Sequence, residues 1–199
     1  NDGDKLTGTV KLIPHGGAAD LLVLAGTDGA WLVDASADGV TVQTHTTMDQ
    51  TRPLATITVD GAEADPLPNW QAALATANAA GWLTLSAEAL GGAQEALDRT
   101  VEYAKEREQF GKPIAQFQGI GFKLADMHTE YEGAELLTMQ AADMKNKGQN
   151  VTVKSAMAKY YASEVCVRSS TEAVQIFGGY GFTKDFPAEK FFRASDIEG

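Results

Sequence analysis

The chain has 199 residues, 44% of them hydrophobic, and a formal net charge of -11, so it can bury a sizeable core in one large domain or two small ones. The acidic balance argues against a nucleic-acid partner, because phosphate backbones are held by clustered Lys and Arg. One cysteine, Cys166, and three scattered histidines exclude an internal disulfide and a cysteine-built zinc site. No run approaches the roughly 20 apolar residues of a membrane-spanning helix, and NDGDKLTG at the start lacks a signal-peptide pattern, so a cytoplasmic protein is expected.

From Lys5 to about Pro68 short β-rich runs alternate with turns: KLTGTVKLI, DLLVLAG, GAWLVDA, GVTVQTH and LATITVDG. β-branched and aromatic residues suit a pleated, half-buried surface. The pairs Gly16-Gly17, Asp28-Gly29, Asp38-Gly39 and Asp60-Gly61 supply the positive φ of tight hairpin turns. These signals predict about five strands of an antiparallel sheet or part of a barrel.

DGAEADPLPN, residues 60–69, reads as a linker, after which Ala, Leu, Glu, Lys and Met dominate at helical spacing. The expected domains are therefore 1–68 and 69–199. A first helix runs to about Glu108, with Gly81, Gly91 and Gly92 expected to let another helix approach closely. The FGKPI turn precedes a second helix, about Gln116 to Lys147, with Phe117, Ile120, Leu124, Met127, Tyr131 and Ala134 on one face. KGQN breaks the chain before a third helix, about Val151 to Ile176, with Met157, Tyr160 and Val167 among its apolar positions. PAEKFFRAS suggests a short fourth. Short connections favour antiparallel neighbours, so the class is α+β: a partial antiparallel β-domain followed by an antiparallel helical bundle.

Two segments can carry chemistry. In YAKEREQFGKPIAQFQ, Arg107 sits where a helix C-terminus favours a cation, and equally where a guanidinium could hold a phosphate, with Gln118 bonding a neighbouring group. In EAVQIFGGYGFTKDFPAEKFFR, Gly178 and Gly179 either end a helix or let a ligand approach the backbone. The spacing is not that of a Rossmann or P-loop motif, since no strand precedes it.

REQFGKPIAQFQGIGFKLADM, AMAKYYASE and AVQIFGGYGFTKDFPAEKFFR, in that order and spacing, resemble the C-terminal helical domain of the flavin-dependent acyl-CoA dehydrogenases. GTVKLIPHGGAADLLVLAG and MDQTRPLATITVDGAEA resemble the later part of that family's middle β-domain. The resemblance implies FAD as cofactor, with contacts from Arg107, Phe110, Gln118, Gln175, Ile176, Phe177, Gly178 and Gly179, largely to a flavin held by a neighbouring subunit. It further implies oxidation of an acyl-CoA thioester to the 2,3-enoyl-CoA, a homo- or hetero-oligomer, and electron-transfer flavoprotein as a redox partner.

Three departures stand against it. The family's N-terminal helical domain and the earlier part of its β-domain do not appear in this sequence. Trp82 stands about where an arginine near the acyl-CoA occurs in the family, and Gly81 where some members carry an alternative catalytic Glu. The glutamate expected to remove the α-proton is matched only by Glu198-Gly199, a few residues early. A non-catalytic subunit completing a partner's flavin site is the alternative expectation, and an inactive flavin-free remnant a third.

Overall fold

In a computed structural model, residues 5–47 and 50–198 are described, with side chains as far as Ser195. Contacts divide the chain into two compact units, Asn1–Leu74 and Ala75–Gly199.

The first unit contains β1 (Lys5–Pro14), β2 (Leu21–Ala25), β3 (Ala30–Asp34), β4 (Val40–Thr44), β5 (Leu54–Glu63) and the two-residue β6 (Asp65–Pro66). They form two three-stranded antiparallel sheets, in the orders β1-β5-β4 and β2-β3-β6. Leu22 and Val33 of one sheet meet Ile57, Val59 and Ala62 of the other in a common buried cluster. Alternation places Ala55, Ile57 and Val59 on the buried face, yet the next buried positions are Ala62 and Ala64. The parity switches because Thr7 pairs with Asp60 and Leu6 with Ala62, leaving Gly61 as an extra residue.

Asp60-Gly61 is therefore a bulge within a strand, not the expected hairpin turn. Gly61 has φ 67° and its amide donates to Thr7 Oγ1 at 3.1 Å. Gly16-Gly17 departs from expectation too. Those residues open a short 3-10 turn, Gly16–Ala18, and the positive φ falls on His15 at 56°.

The second unit is built on α1 (Trp70–Glu106), whose first residues belong to the β-rich unit, with α2 (Gln118–Asn146), α3 (Thr152–Phe177) and α4 (Ala188–Glu198). Three buried layers show the antiparallel order. Leu83 lies with Ala141 and Ala158; Ala89, Leu90 and Ala93 lie with Ala134, Ala162 and Val165; Leu97 and Ala104 lie with Met127 and Ile176. Numbers rise along α1, fall along α2 and rise along α3, as short connections require.

The α2 face falls as expected: Met127 and Ala134 are buried, with Ile120, Leu124 and Tyr131 packed against the core. The α3 face does not, because Met157 and Tyr160 are exposed. Up to Ala173 its buried face is small residues apart from Val165, including Ser155 and Ser163, whose hydroxyls donate to the carbonyls of Val151 at 2.8 Å and Lys159 at 2.5 Å. A serine satisfied by its own helix behaves as a small residue, so closeness rather than hydrophobicity selects this face. The glycines of α1 also divide. A Cβ on Gly92 would lie 3.3 Å from Cys166 Sγ, whereas Gly81 and Gly91 face open space and admit no close helix.

Candidate functional site

The bundle end formed by the C-terminal turns of α1 and α3 carries a cleft of about 420 Å³ lined by Tyr103, Arg107, Ile176, Phe177, Gly178 and Tyr180 among others. Its walls follow from how the two helices stop. α1 ends at Glu106, and Arg107 follows it: its amide donates to the Tyr103 carbonyl and its own carbonyl accepts from the Ile114 amide, both at 2.8 Å. Between these points the chain makes a small antiparallel hairpin, β7 (Glu108–Gln109) and β8 (Lys112–Pro113).

The FG pair is thus the tip of a hairpin rather than a glycine stop of the helix. Phe110 and Gly111 have φ 52° and 79°, the two positive values of a type I′ turn. For phenylalanine that backbone costs about 1–2 kcal/mol, and its ring is 94% exposed. Its aromatic neighbour is Phe117, met edge-on at 6.3 Å. A strained, solvent-facing ring has little to contribute to this unit's own stability, which makes it a candidate contact residue.

α3 ends at Phe177, and Gly178 caps it with φ 61° and ψ -131°, a conformation open to glycine. Its amide donates back to the carbonyls of Gln175 and Val174, so it is committed to ending the helix. Gly178 and Gly179 are both exposed, and a Cβ on either would meet nothing within 4 Å. Gly181 differs. A Cβ there would sit 2.6 Å from the Val174 carbonyl oxygen, because the 3-10 turn Gly178–Phe182 folds back on the helix.

Aromatic rings brace this turn. Tyr103 stacks on Phe177 with centroids 4.1 Å apart and planes 16° apart, and its hydroxyl donates to the Phe177 carbonyl at 3.4 Å. Phe186 meets Tyr103 edge-on at 5.7 Å and Tyr180 at 5.2 Å. Burial pushes the Tyr103 phenol above its usual pKa, opposed by the Arg107 charge. The Arg107 guanidinium lies 5.7 Å from the centroid of the Tyr180 ring, and among the described residues no carboxylate pairs with it. An exposed guanidinium beside a floor of ring faces and bare glycine suits a ligand that joins a phosphate to a flat ring system. That donor set fits the phosphate-bearing part of FAD.

Five of the sequence-predicted residues, Arg107, Ile176, Phe177, Gly178 and Gly179, thus line one cleft. Three lie elsewhere. Phe110 is at the hairpin tip, Gln118 is the exposed first residue of α2, and Gln175 faces an apolar groove of about 310 Å³ with Phe182 and Phe192. The Glu198 side chain lies outside the described residues. Tyr103 and Tyr180 join the cleft lining without a motif of their own in the sequence. Tyr103 precedes Arg107 by four residues on one helical face, which is the signal that could have found it.

The helical unit, with its surface cleft of rings, glycines and one guanidinium, and the unit of two antiparallel sheets define an α+β protein. The family model described as "Acyl-CoA dehydrogenase, C-terminal domain" matches residues 70–198, and the chain belongs to the acyl-CoA dehydrogenase family. It is 49% identical over 117 residues to an acyl-CoA dehydrogenase of Bacillus subtilis, covering 59% of this chain and 31% of the relative. It is 37% identical over 210 residues to the short-chain specific acyl-CoA dehydrogenase of Megasphaera elsdenii, covering 96% and 55% respectively. Among solved structures, one described as the electron transferring flavoprotein of Acidaminococcus fermentans superposes with TM-score 0.91 at 36% identity, covering all of this chain and 57% of that one. The chain accordingly spans little more than half the length of these relatives at most. Among the described residues no helix is long and apolar enough to cross a membrane.

Proposed function

We propose that this chain contributes the C-terminal bundle and part of the β-domain of an FAD-dependent acyl-CoA dehydrogenase, which oxidises an acyl-CoA thioester to its 2,3-enoyl-CoA. The observation that carries the reading is the cleft itself: Arg107, with no carboxylate partner among the described residues, faces the exposed backbone of Gly178 and Gly179. Bound FAD supplies the acceptor for the hydride leaving the β-carbon. Arg107 would hold a phosphate oxygen through charge-assisted hydrogen bonds, and the rings of Tyr103, Phe177 and Tyr180 would exclude water from that end of the cofactor.

Glu198 is proposed to take the α-proton onto its carboxylate as the β-hydride departs, so that the carbon–carbon double bond forms without net charge left on the acyl chain. A carboxylate desolvated against an acyl chain is a stronger base than one in water. The dispersal of Phe110, Gln118 and Gln175 away from the cleft supports an oligomer in which they reach a cofactor seated mainly on another subunit. By resemblance, the electrons pass on to an electron-transfer flavoprotein. The two-domain division at about residue 68 belongs to the same proposal.

The test is the flavin spectrum of the intact protein, purified and reconstituted with FAD, followed during addition of straight-chain acyl-CoA. Flavin absorption that bleaches on adding acyl-CoA is expected. Flavin bound but never bleached favours the structural-subunit alternative, and no flavin after reconstitution overturns the reading.

A further inference from the structure

The cleft's two halves come from helices far apart in sequence, Arg107 just after α1 and Gly178 just after α3, so something must set the distance between them. Tyr103 touches both. It lies one helical turn before Arg107, whose amide donates to the Tyr103 carbonyl at 2.8 Å, which ties the start of the hairpin to this turn of α1. Its ring lies flat against Phe177 at 4.1 Å, and its hydroxyl reaches the carbonyl of that same residue, immediately before the glycine turn. Phe186, which follows the turn, closes on the Tyr103 ring edge-on at 5.7 Å and on Phe177 at 5.5 Å.

The residues between Phe177 and Phe186 are therefore clamped at both ends by one side chain from another helix. The turn's other ties are local: Gly181 is buried against Val174, and the Thr183 amide and hydroxyl donate to the Tyr180 carbonyl. Gly178 and Gly179 have no side chains to pack, and Phe182 is exposed. Three glycines within four positions give the backbone freedom that packing must remove.

We propose that Tyr103 is a positioning residue for the cleft: its stacked ring and hydroxyl hold the Gly178–Phe182 turn at a fixed distance from the Arg107 guanidinium. The phosphate-bearing ligand then meets a site already formed, with no ordering of the turn left to be done on binding. The inference rests on the proposed flavin function for its consequence, but the brace is a property of the polypeptide alone. Tyr103 touches the turn, so its role requires no contact with the reacting atoms.

Amide hydrogen exchange on the FAD-free protein tests the brace directly. In Tyr103→Leu the amides of residues 178–183 should exchange at least about ten times faster, the scale expected for losing an aromatic pair and a hydrogen bond. The middle of α2, around Ala134, should exchange as in the parent. Tyr103→Phe keeps the stack and should restore most of the protection. Should Tyr103→Leu not fold, Phe177→Leu removes the other ring of the stack and is read the same way.

FAD titration of the same proteins, followed by flavin fluorescence, should show affinity about ten-fold weaker for Tyr103→Leu and within about three-fold of the parent for Tyr103→Phe. Unchanged exchange at 178–183 in the leucine variant, or equal acceleration throughout the bundle, overturns the brace. A parent protein that never binds FAD overturns the flavin reading, while the exchange result still decides the brace.

Discussion

The middle of the helical unit and its cleft end solve the same packing problem with opposite residues. In the middle, α1, α2 and α3 touch through Ala89, Ala93, Ala134 and Ala162, with Tyr131 and Tyr161 at the margin. At the cleft end the contacts are Tyr103, Phe177, Tyr180 and Phe186, with glycines between them. Alanines bring helix axes close and leave no room for a ligand. Rings at the end hold the chain apart and leave a cleft whose floor is backbone. The contrast separates close helix packing in the alanine layers from an open, ring-braced end where recognition is proposed, so substitutions should separate the two.

The largest effect should come from the middle. Ala134 is fully buried, and Ala134→Leu should destabilise the fold by about 3 kcal/mol through overpacking, read by urea denaturation. A loss under about 1 kcal/mol would mean that the helices can part, and the contrast would weaken. At the cleft end, Gly181→Ala should cost about 2 kcal/mol, because its Cβ would fall 2.6 Å from the Val174 carbonyl oxygen. Gly179→Ala, with nothing within 4 Å, should change stability by less than about 0.5 kcal/mol.

Arg107→Ala sharpens the functional side of the comparison. It should weaken FAD binding by about 2 kcal/mol, the scale of a hydrogen bond to a charged group, while the denaturation midpoint stays near the parent value. An unchanged FAD affinity with a lowered midpoint would assign Arg107 to the helix terminus instead.

The smallest expected effect is a pH dependence from the alanine-rich layer. Tyr131 donates to the Glu135 carboxylate at 2.9 Å, and burial, then that hydrogen bond, push its phenol from 10.0 up to about 12. The folded state keeps this proton after the unfolded chain has lost it. Stability is therefore fully present below pH 10 and falls as pH rises from about 10 to about 12. Tyr131→Phe should remove that part of the alkaline decline, seen by comparing thermal midpoints of the two proteins over that range.

Much of the architecture is legible from residue types. The change from β-branched runs to alanine-rich helical spacing near residue 68 announces an α+β chain, and the α2 face from Ile120 to Ala134 follows from the 3.6-residue period. The α3 face is not legible that way, because its buried side carries serines satisfied by their own helix while Met157 and Tyr160 point to solvent. Hydrophobicity is a poor guide where helix closeness selects for size.

The site divides along the same line. Arg107 and the Gly178-Gly179 pair stand out in the sequence because a charge at a helix end and adjacent glycines are local signals. Local chemistry could also show that the glycines end a helix, since the need for positive φ belongs to the residue itself. Only the tertiary structure decided that Arg107 and the glycine turn share a cleft, that Gln118 and Gln175 lie outside it, and that FG is a hairpin tip. The physical reason is distance: Tyr103 and Phe177 are 74 positions apart in the chain, and no local pattern encodes a stack that forms only when α1 and α3 pack side by side.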